Sequence, residues 1–274
     1  MVWVLLFVVG ITAGAIGSLM GLGGGIIIVP ALLMIGEYTS WLQGITPQNA
    51  VGTSLLIMVA TGLASTLAYV KQRTVDLQAG AIFFGGSGPG ALVGVWLNQG
   101  LDADAFFVYF GIFVVFVSFI LMVRHRLKPL PLKTDGIQRT YINDNGKETA
   151  YGFSILPAVS ISFIVGMVSG LFGIGGGTLM VPAMILLFGF PPHFAVATSM
   201  FMILLSALIS SGAHALLGNV EWLYAVVLIP AAWFGAKLGA AFNQRLSSER
   251  LVFVFRLFLI IIGLRLIWQG VTGG

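Results

Sequence analysis

The residues able to do chemistry in this chain are few, and most of them occur twice. Gly21-Leu22-Gly23-Gly24-Gly25 returns as Gly173-Ile174-Gly175-Gly176-Gly177, and Pro30-Ala31 returns as Pro182-Ala183, both at an offset of 152 residues. Glycine reaches positive φ without strain, so a glycine triplet ahead of a helix lets backbone N–H groups converge. A helix N-terminus carries unpaired N–H groups and about half a positive charge. Gly23, Gly24 and Gly25, with Gly175, Gly176 and Gly177, therefore read as two anion-binding turns built without a cationic side chain. The competing reading is that these glycines only permit close helix packing.

A second duplicated block follows. Pro47-x-x-Ala50-Val51-x-Thr53-Ser54 matches Pro192-x-x-Ala195-Val196-x-Thr198-Ser199, now at an offset of 145. The prolines suit a first helical turn. Gln48, Asn49 and His193 share that turn, and Thr53, Ser54, Thr198 and Ser199 lie one to two turns deeper. Their hydroxyls can bond a polar solute or bond back to their own helix. Thr61, Ser65 and Tyr69, matched by Ser206, Ser210 and His214, continue at i, i+4, i+8 on one face, which is either a packing seam or a water-lined path. Val75-Asp76 matches Val220-Glu221, and Gly90-Ala91-x-x-Gly94-x-x-x-Asn98-Gln99 matches Gly235-Ala236-x-x-Gly239-x-x-x-Asn243-Gln244. Asp76 and Glu221 sit at loop ends, where helix capping accounts for them.

Several function classes fall away. The chain has no cysteine, so thiolate chemistry and disulfides are excluded. It contains no Gly-x-Ser-x-Gly elbow, His-Glu-x-x-His or phosphate-binding Gly-Lys-Ser/Thr loop, so neither an enzyme nor an ATP-driven pump is expected, and no cofactor or metal. The net charge of +4 is no nucleic-acid signature, because the basic residues flank apolar runs. Histidine could relay protons at His193 or His214, although polar anchoring near the interface also explains both.

The elements that must position these residues are membrane helices. Only 8% of the residues are charged, 58% are hydrophobic and the mean hydropathy is +1.03. So few charges cannot cover a soluble surface. Ten apolar segments read as 2–20, 26–36, 47–70, 77–98 and 104–123, then 152–171, 177–190, 192–217, 222–242 and 249–269. The second segment of each half is too short for the roughly 30 Å hydrocarbon core and reads as a half-length helix after the glycine turn. Residues 1–123 form a first transmembrane repeat, 124–150 a polar, extended linker and 151–274 a second repeat. Placing the basic linker in the cytoplasm puts Lys71, Arg73, Arg245 and Arg250 inside and Asp102 and Asp104 outside, with both termini outside. Every loop obeys that rule only if the repeats are inverted. The expected fold is an all-α polytopic membrane protein of two inverted repeats, each with a Gly-broken helix hairpin, the hairpins meeting near the bilayer centre.

The run Gly17-Ser18-Leu19-Met20-Gly21-Leu22-Gly23-Gly24-Gly25-x4-Pro30-Ala31, its repeat Ser169-Gly170-Leu171-Phe172-Gly173-Ile174-Gly175-Gly176-Gly177-x4-Pro182-Ala183, and the Ala-x-x-Thr-Ser pairs resemble the TauE/SafE sulfite exporter family of permeases. The resemblance covers nearly the whole chain. It implies export of small sulfur-containing anions, such as sulfite or organosulfonates, across the bacterial inner membrane. The residues alone reach a small anionic solute, held by Gly23–Gly25 and Gly175–Gly177 with help from Gln48, Asn49, Thr53, Ser54, His193, Thr198 and Ser199. Alternating access is expected from one repeat rocking against the other. Import of another anion and a non-transporting scaffold are the alternatives.

Overall fold

The computed structural model describes residues 2–38, 44–123, 136–142, 148–243 and 249–273. Among them are ten helices and one two-stranded antiparallel sheet. The first half holds α1 (Val2–Met20), α2 (Gly25–Tyr38), α3 (Pro47–Lys71), α4 (Leu77–Gln99) and α5 (Ala103–Val123). A hairpin of β1 (Ile137–Ile142) and β2 (Glu148–Phe153) follows, then α6 (Ile155–Phe172), α7 (Gly177–Leu187), α8 (Pro192–Leu216), α9 (Trp222–Phe242) and α10 (Glu249–Thr272). Eight of the helices are long and apolar enough to cross a membrane; α2 and α7 are the short ones. The chain is a polytopic all-α membrane protein. Helices α1 and α6, at about 1.5 Å per residue, cross most of a bilayer before the glycine turns send α2 and α7 back.

Local chemistry sets the helix ends. Thr46 Oγ1 accepts the Asn49 N–H ahead of Pro47, and Asp76 Oδ1 accepts the Ala79 N–H at 2.9 Å. Gly173 ends α6 at φ +68° with its N–H on Ser169 O at 2.8 Å. Gly21 ends α1 in the same region, at φ +74°.

The helices of the two halves interlock. Helix α1 packs on α9 and α4 on α6, each pair running parallel, through glycines that bring backbones into contact. A Cβ added at Gly94 would lie 2.0 Å from Met167 O, and one at Gly90 2.1 Å from Phe163 O. At the equivalent places in α9, Gly235 would strike Ile11 O at 2.1 Å and Gly239 would strike Ala15 O at 2.2 Å. Helices α3 and α8 are repeat counterparts and cross in opposite directions: Gly52 faces Asn219 and His214, whereas Gly62 faces Leu204. Counterparts α5 and α10 are antiparallel too, with Gly111 against Gly263 and Gly270 against Asp104 and Val108. The halves are therefore not two separate bundles, and rocking of one whole repeat against the other does not suit this packing.

The linker also departs from the sequence reading. Residues 137–142 and 148–153 pair as a hairpin, Ile137 opposite Phe153 and Thr140 opposite Ala150. Its second strand runs past the expected boundary at 150, so α6 begins at Ile155 with Ser154 as N-cap. Half-buried Ile137 and Arg139 alternate with exposed Gln138 and Thr140, a strand pattern of period two, and Tyr151 and Phe153 are buried on β2. Linker residues 124–135 and 143–147, the 39–43 loop and Arg245 lie outside the described residues.

The backbone contacts yield a direct test. Gly94→Val and Gly239→Val each drive a side chain into a carbonyl of the partner helix, and overpacking of this kind costs about 1–3 kcal/mol or more. Both variants lower the thermal unfolding midpoint of the detergent-solubilised protein, whereas Gly212→Ala, with open space around its added Cβ, does not. Unchanged midpoints for both valine variants would contradict this packing.

Candidate functional site

The two glycine turns meet. A Cβ on Gly25 would lie 2.2 Å from Gly173 O, and one on Gly177 would lie 1.7 Å from Gly21 O. Each short helix thus starts against a carbonyl of the opposite turn, and no residue larger than glycine fits at either start. Positive φ is required at Gly23 (+80°), Gly24 (+92°) and Gly175 (+74°), and also at Gly21 and Gly173. Gly176, at φ −60°, is ordinary helical backbone. The six glycines singled out from sequence divide by cause, some needed for conformation and some for closeness.

Backbone bonding within α2 begins with Ile27 and Ile28, whose N–H groups reach Gly24 O, and within α7 with Met180, which reaches Gly176 O at 2.9 Å. The N–H groups ahead of these, on Gly24, Gly25 and Ile26 and on Gly177, Thr178 and Leu179, have no backbone acceptor among the described residues. Two positive helix ends therefore face one buried region of low dielectric. The carbonyls of Gly21 and Gly173 partly offset them.

Those carbonyls are held by hydroxyls that cross between the halves. Ser54 Oγ donates to Gly173 O at 2.7 Å, and Ser199 Oγ donates to Gly21 O at 3.0 Å. Thr61 Oγ1 donates to Gly23 O at 2.8 Å. The adjacent threonines serve other backbones: Thr53 Oγ1 accepts the Glu221 N–H at 2.9 Å, and Thr198 Oγ1 accepts the Asp76 N–H at 3.0 Å. The serine bonds and the Thr53 and Thr198 bonds obey the repeat, donor for donor, whereas Thr61 bonds within its own half and its counterpart Ser206 pairs with Ser87 Oγ instead.

Gln48, Asn49 and His193 stand elsewhere. Gln48 Nε2 donates to Asn98 O and Leu101 O at the end of α4. Asn49 Nδ2 donates to Glu221 Oε1 at 2.6 Å. His193 Nδ1 pairs with Asn243 Oδ1 at 3.0 Å, and Asn243 Nδ2 donates to Leu19 O as Asn98 Nδ2 does to Leu171 O. In this arrangement the three first-turn residues clamp helix ends rather than line the glycine turns. The small-residue stripe on α3 packs as well, Ser65 Oγ on Ser18 Oγ and Tyr69 Oη on Ser18 O. Arg256 lies where α10 meets α5, its carbonyl accepting from Ser118 Oγ.

Sequence reasoning missed Met58 and Ile203. Both are fully buried, and they are counterparts at the 145-residue offset. Met58 Sδ lies 3.0 Å from the Cβ position of Gly23 and 2.9 Å from that of Gly175, so it touches both turns. Ile203 reaches Gly23 and Gly177. Their signal was position alone, four residues beyond Ser54 and Ser199 on the same helix face.

The chain is similar to known proteins along nearly its whole length. The family described as sulfite exporter TauE/SafE matches residues 6–266. A probable membrane transporter protein of Bacillus subtilis, YunE, is 49% identical over 271 residues, covering 99% of each chain. A probable membrane transporter protein of Methanocaldococcus jannaschii is 26% identical, covering 95% of this chain and 93% of its own. A sulfite exporter TauE/SafE family protein of Arabidopsis thaliana is 34% identical over 114 residues, 41% of this chain and 26% of its own. No solved structure matches the chain.

The crossing hydroxyls can be removed singly. Ser54→Ala strips Gly173 O of its donor and Ser199→Ala strips Gly21 O, where both serines are fully buried. Each costs about 1–3 kcal/mol, the penalty of a buried polar group left unpaired. Thermal unfolding in detergent should fall for both variants. Midpoints equal to the parent's would mean that these hydroxyls hold nothing.

Proposed function

Since this chain belongs to the sulfite exporter TauE/SafE family, whose relatives above are named membrane transporters, we propose that it is a secondary transporter of a small sulfur-containing anion, such as sulfite or an organosulfonate, working outward across a bacterial inner membrane. One observation carries this reading: two broken helices bring together at one buried place first-turn amides that have no backbone acceptor among the described residues. An anion there is bound by peptide N–H groups rather than by lysine or arginine, which are costly inside a bilayer. Gly23, Gly24 and Gly25 with Gly175, Gly176 and Gly177 form the cradle, and Ser54 and Ser199 adjust it. Thr53, Thr198, Gln48, Asn49 and His193 hold the helix ends around it.

In the conformation described, the turns are shut against each other and Met58 and Ile203 fill the space beside them. Passage of a solute requires the turns to part, so this is an occluded state of an alternating-access cycle. The close-packed pairs α1–α9 and α4–α6 move as units, each mixing both halves. What supports inverted repeats is the antiparallel packing of the counterparts α3 with α8 and α5 with α10. What supports a cytoplasmic hairpin face and external termini is the placement of Lys71 and Arg73 near the hairpin and of Asp102 and Asp104 at the other end. Export of a monoanion from a cell then gains about 2.3 kcal/mol per 100 mV of membrane potential.

The test is reconstitution. Proteoliposomes containing the protein move radiolabelled sulfite, competing sulfonates slow it, and an imposed potential sets its direction. Gly24→Leu with Gly176→Leu abolishes flux, and Ser54→Ala with Ser199→Ala, a milder change, reduces it in folded protein. Inward movement of sulfate, thiosulfate or a carboxylate in preference to sulfite would replace the export reading with an import one. No flux of any anion would leave a scaffold.

A further inference from the structure

We propose that the hairpin β1–β2 is a strap that holds one end of the molecule shut, with Tyr151 and Arg139 as the side chains that lock it to Asp76. Tyr151 Oη donates to Asp76 Oδ2 at 3.0 Å, and Arg139 Nε lies 3.6 Å from the same oxygen. Arg139 also donates to Gln78 Oε1. These contacts fall on the first turn of α4, in the first half. The second strand also holds the α7–α8 junction, in the second half. The Tyr151 ring lies 4.3 Å from Phe190, and the Gly152 N–H bonds Phe188 O at 3.2 Å. Phe153 closes a cluster with Phe83, Phe188 and Phe190 at ring distances of 5.0 to 6.0 Å.

A two-stranded hairpin is marginal in isolation. Gln138, Thr140 and Ala150 are exposed, so its attachment depends on the contacts just described. Burial first, and the neighbouring Asp76 charge second, push the Tyr151 hydroxyl above the ordinary phenol range, which keeps it protonated and donating. The opposite end of the molecule is fastened differently. There Glu221, the counterpart of Asp76, takes Asn49 Nδ2, and Phe194 occupies the counterpart position of Asn49. Both ends share the threonine bonds, Thr198 to Asp76 and Thr53 to Glu221. Separation of α8 from α4 at the hairpin end must therefore break the strap as well as the threonine bond, while at the far end, among the described residues, separation of their counterparts α3 and α9 breaks the Asn49 and Thr53 bonds.

The strap rests on the transport reading only for what passes once it lifts, and the experiment separates the two. The protein has no cysteine, so a single introduced thiol reports without background. Ala195 and Ala50 are counterparts, both fully buried, near the starts of α8 and α3. In lipid nanodiscs, a polar maleimide labels Ala195→Cys faster once Tyr151→Phe or Arg139→Gln is added, by roughly two- to tenfold, the change that loss of one hydrogen bond allows. Labelling of Ala50→Cys does not change. No acceleration at either site overturns the strap, and equal acceleration at both shows general loosening and overturns it too. If the Ala195→Cys acceleration appears while proteoliposomes move no anion, the strap stands and the transport reading falls. If anion moves but Ala195→Cys labelling is indifferent to the hairpin, the strap falls and transport stands.

Discussion

Everything in this molecule turns on the contact between two helix starts and two carbonyls. Gly25 lies against Gly173 O and Gly177 against Gly21 O, at separations that admit no Cβ. That closeness puts four unlike backbone ends together: two positive helix starts and two carbonyls bent out of the turns. Inside a bilayer each would cost several kcal/mol if left alone. The serines of α3 and α8 finish the arrangement from the opposite half, and so tie the central antiparallel pair to the turns. The partial charges of these backbone ends are met here by backbone carbonyls and serine hydroxyls rather than by a charged side chain.

The same economy governs the periphery. Lipid supplies no hydrophobic drive to pull two apolar helices together, so association depends on closeness of packing and on hydrogen bonds. The glycines of α4 and α9 let α6 and α1 approach until side-chain-free backbone meets carbonyl, and the asparagines Asn98 and Asn243 then bond the last turns of α6 and α1. Because these joints link one half to the other, the duplicated sequence does not produce two movable blocks. It produces pairs, each with one helix from either half.

Much of this was legible from sequence, and the limits have physical causes. The bounds of α1, α3, α8 and α9 fall within one residue of the apolar runs, because proline, threonine, glycine or a charged or amide residue marks most of their ends. The duplicated glycine turns also announced where the chain breaks. The destination of each hydroxyl was not legible: Ser54 and Thr53 are adjacent, yet one serves Gly173 and the other Glu221, a matter of helix face and of a partner 119 or 168 residues away. Gln48, Asn49 and His193 looked like solute ligands because they are polar and near a turn, but their long or planar side chains reach helix ends instead. The hairpin escaped notice because its polar, charged composition resembles linker, and only Tyr151 and Phe153 betray a docked strand.

Duplication has a further physical consequence. Were the halves identical and opposed, the state open at one end would match in energy the state open at the other, and nothing in the protein would favour either. Preference between them must therefore reside in the places where the halves differ. Those places are few and specific: Met58 opposite Ile203 between the glycine turns, Asn49 opposite Phe194 at the starts of α3 and α8, Tyr69 opposite His214, and the hairpin residues bearing on Asp76 with no equivalent acting on Glu221 among the described residues. The differences around Asp76 and Asn49 add interactions at one end that the other lacks. A ligand bound equally well in both states cannot shift their balance. In the proposed transport cycle, a solute bound equally in both states would leave the resting bias to these side chains, and the aromatic and ionic contacts around Asp76 would weigh it toward closure of the hairpin end.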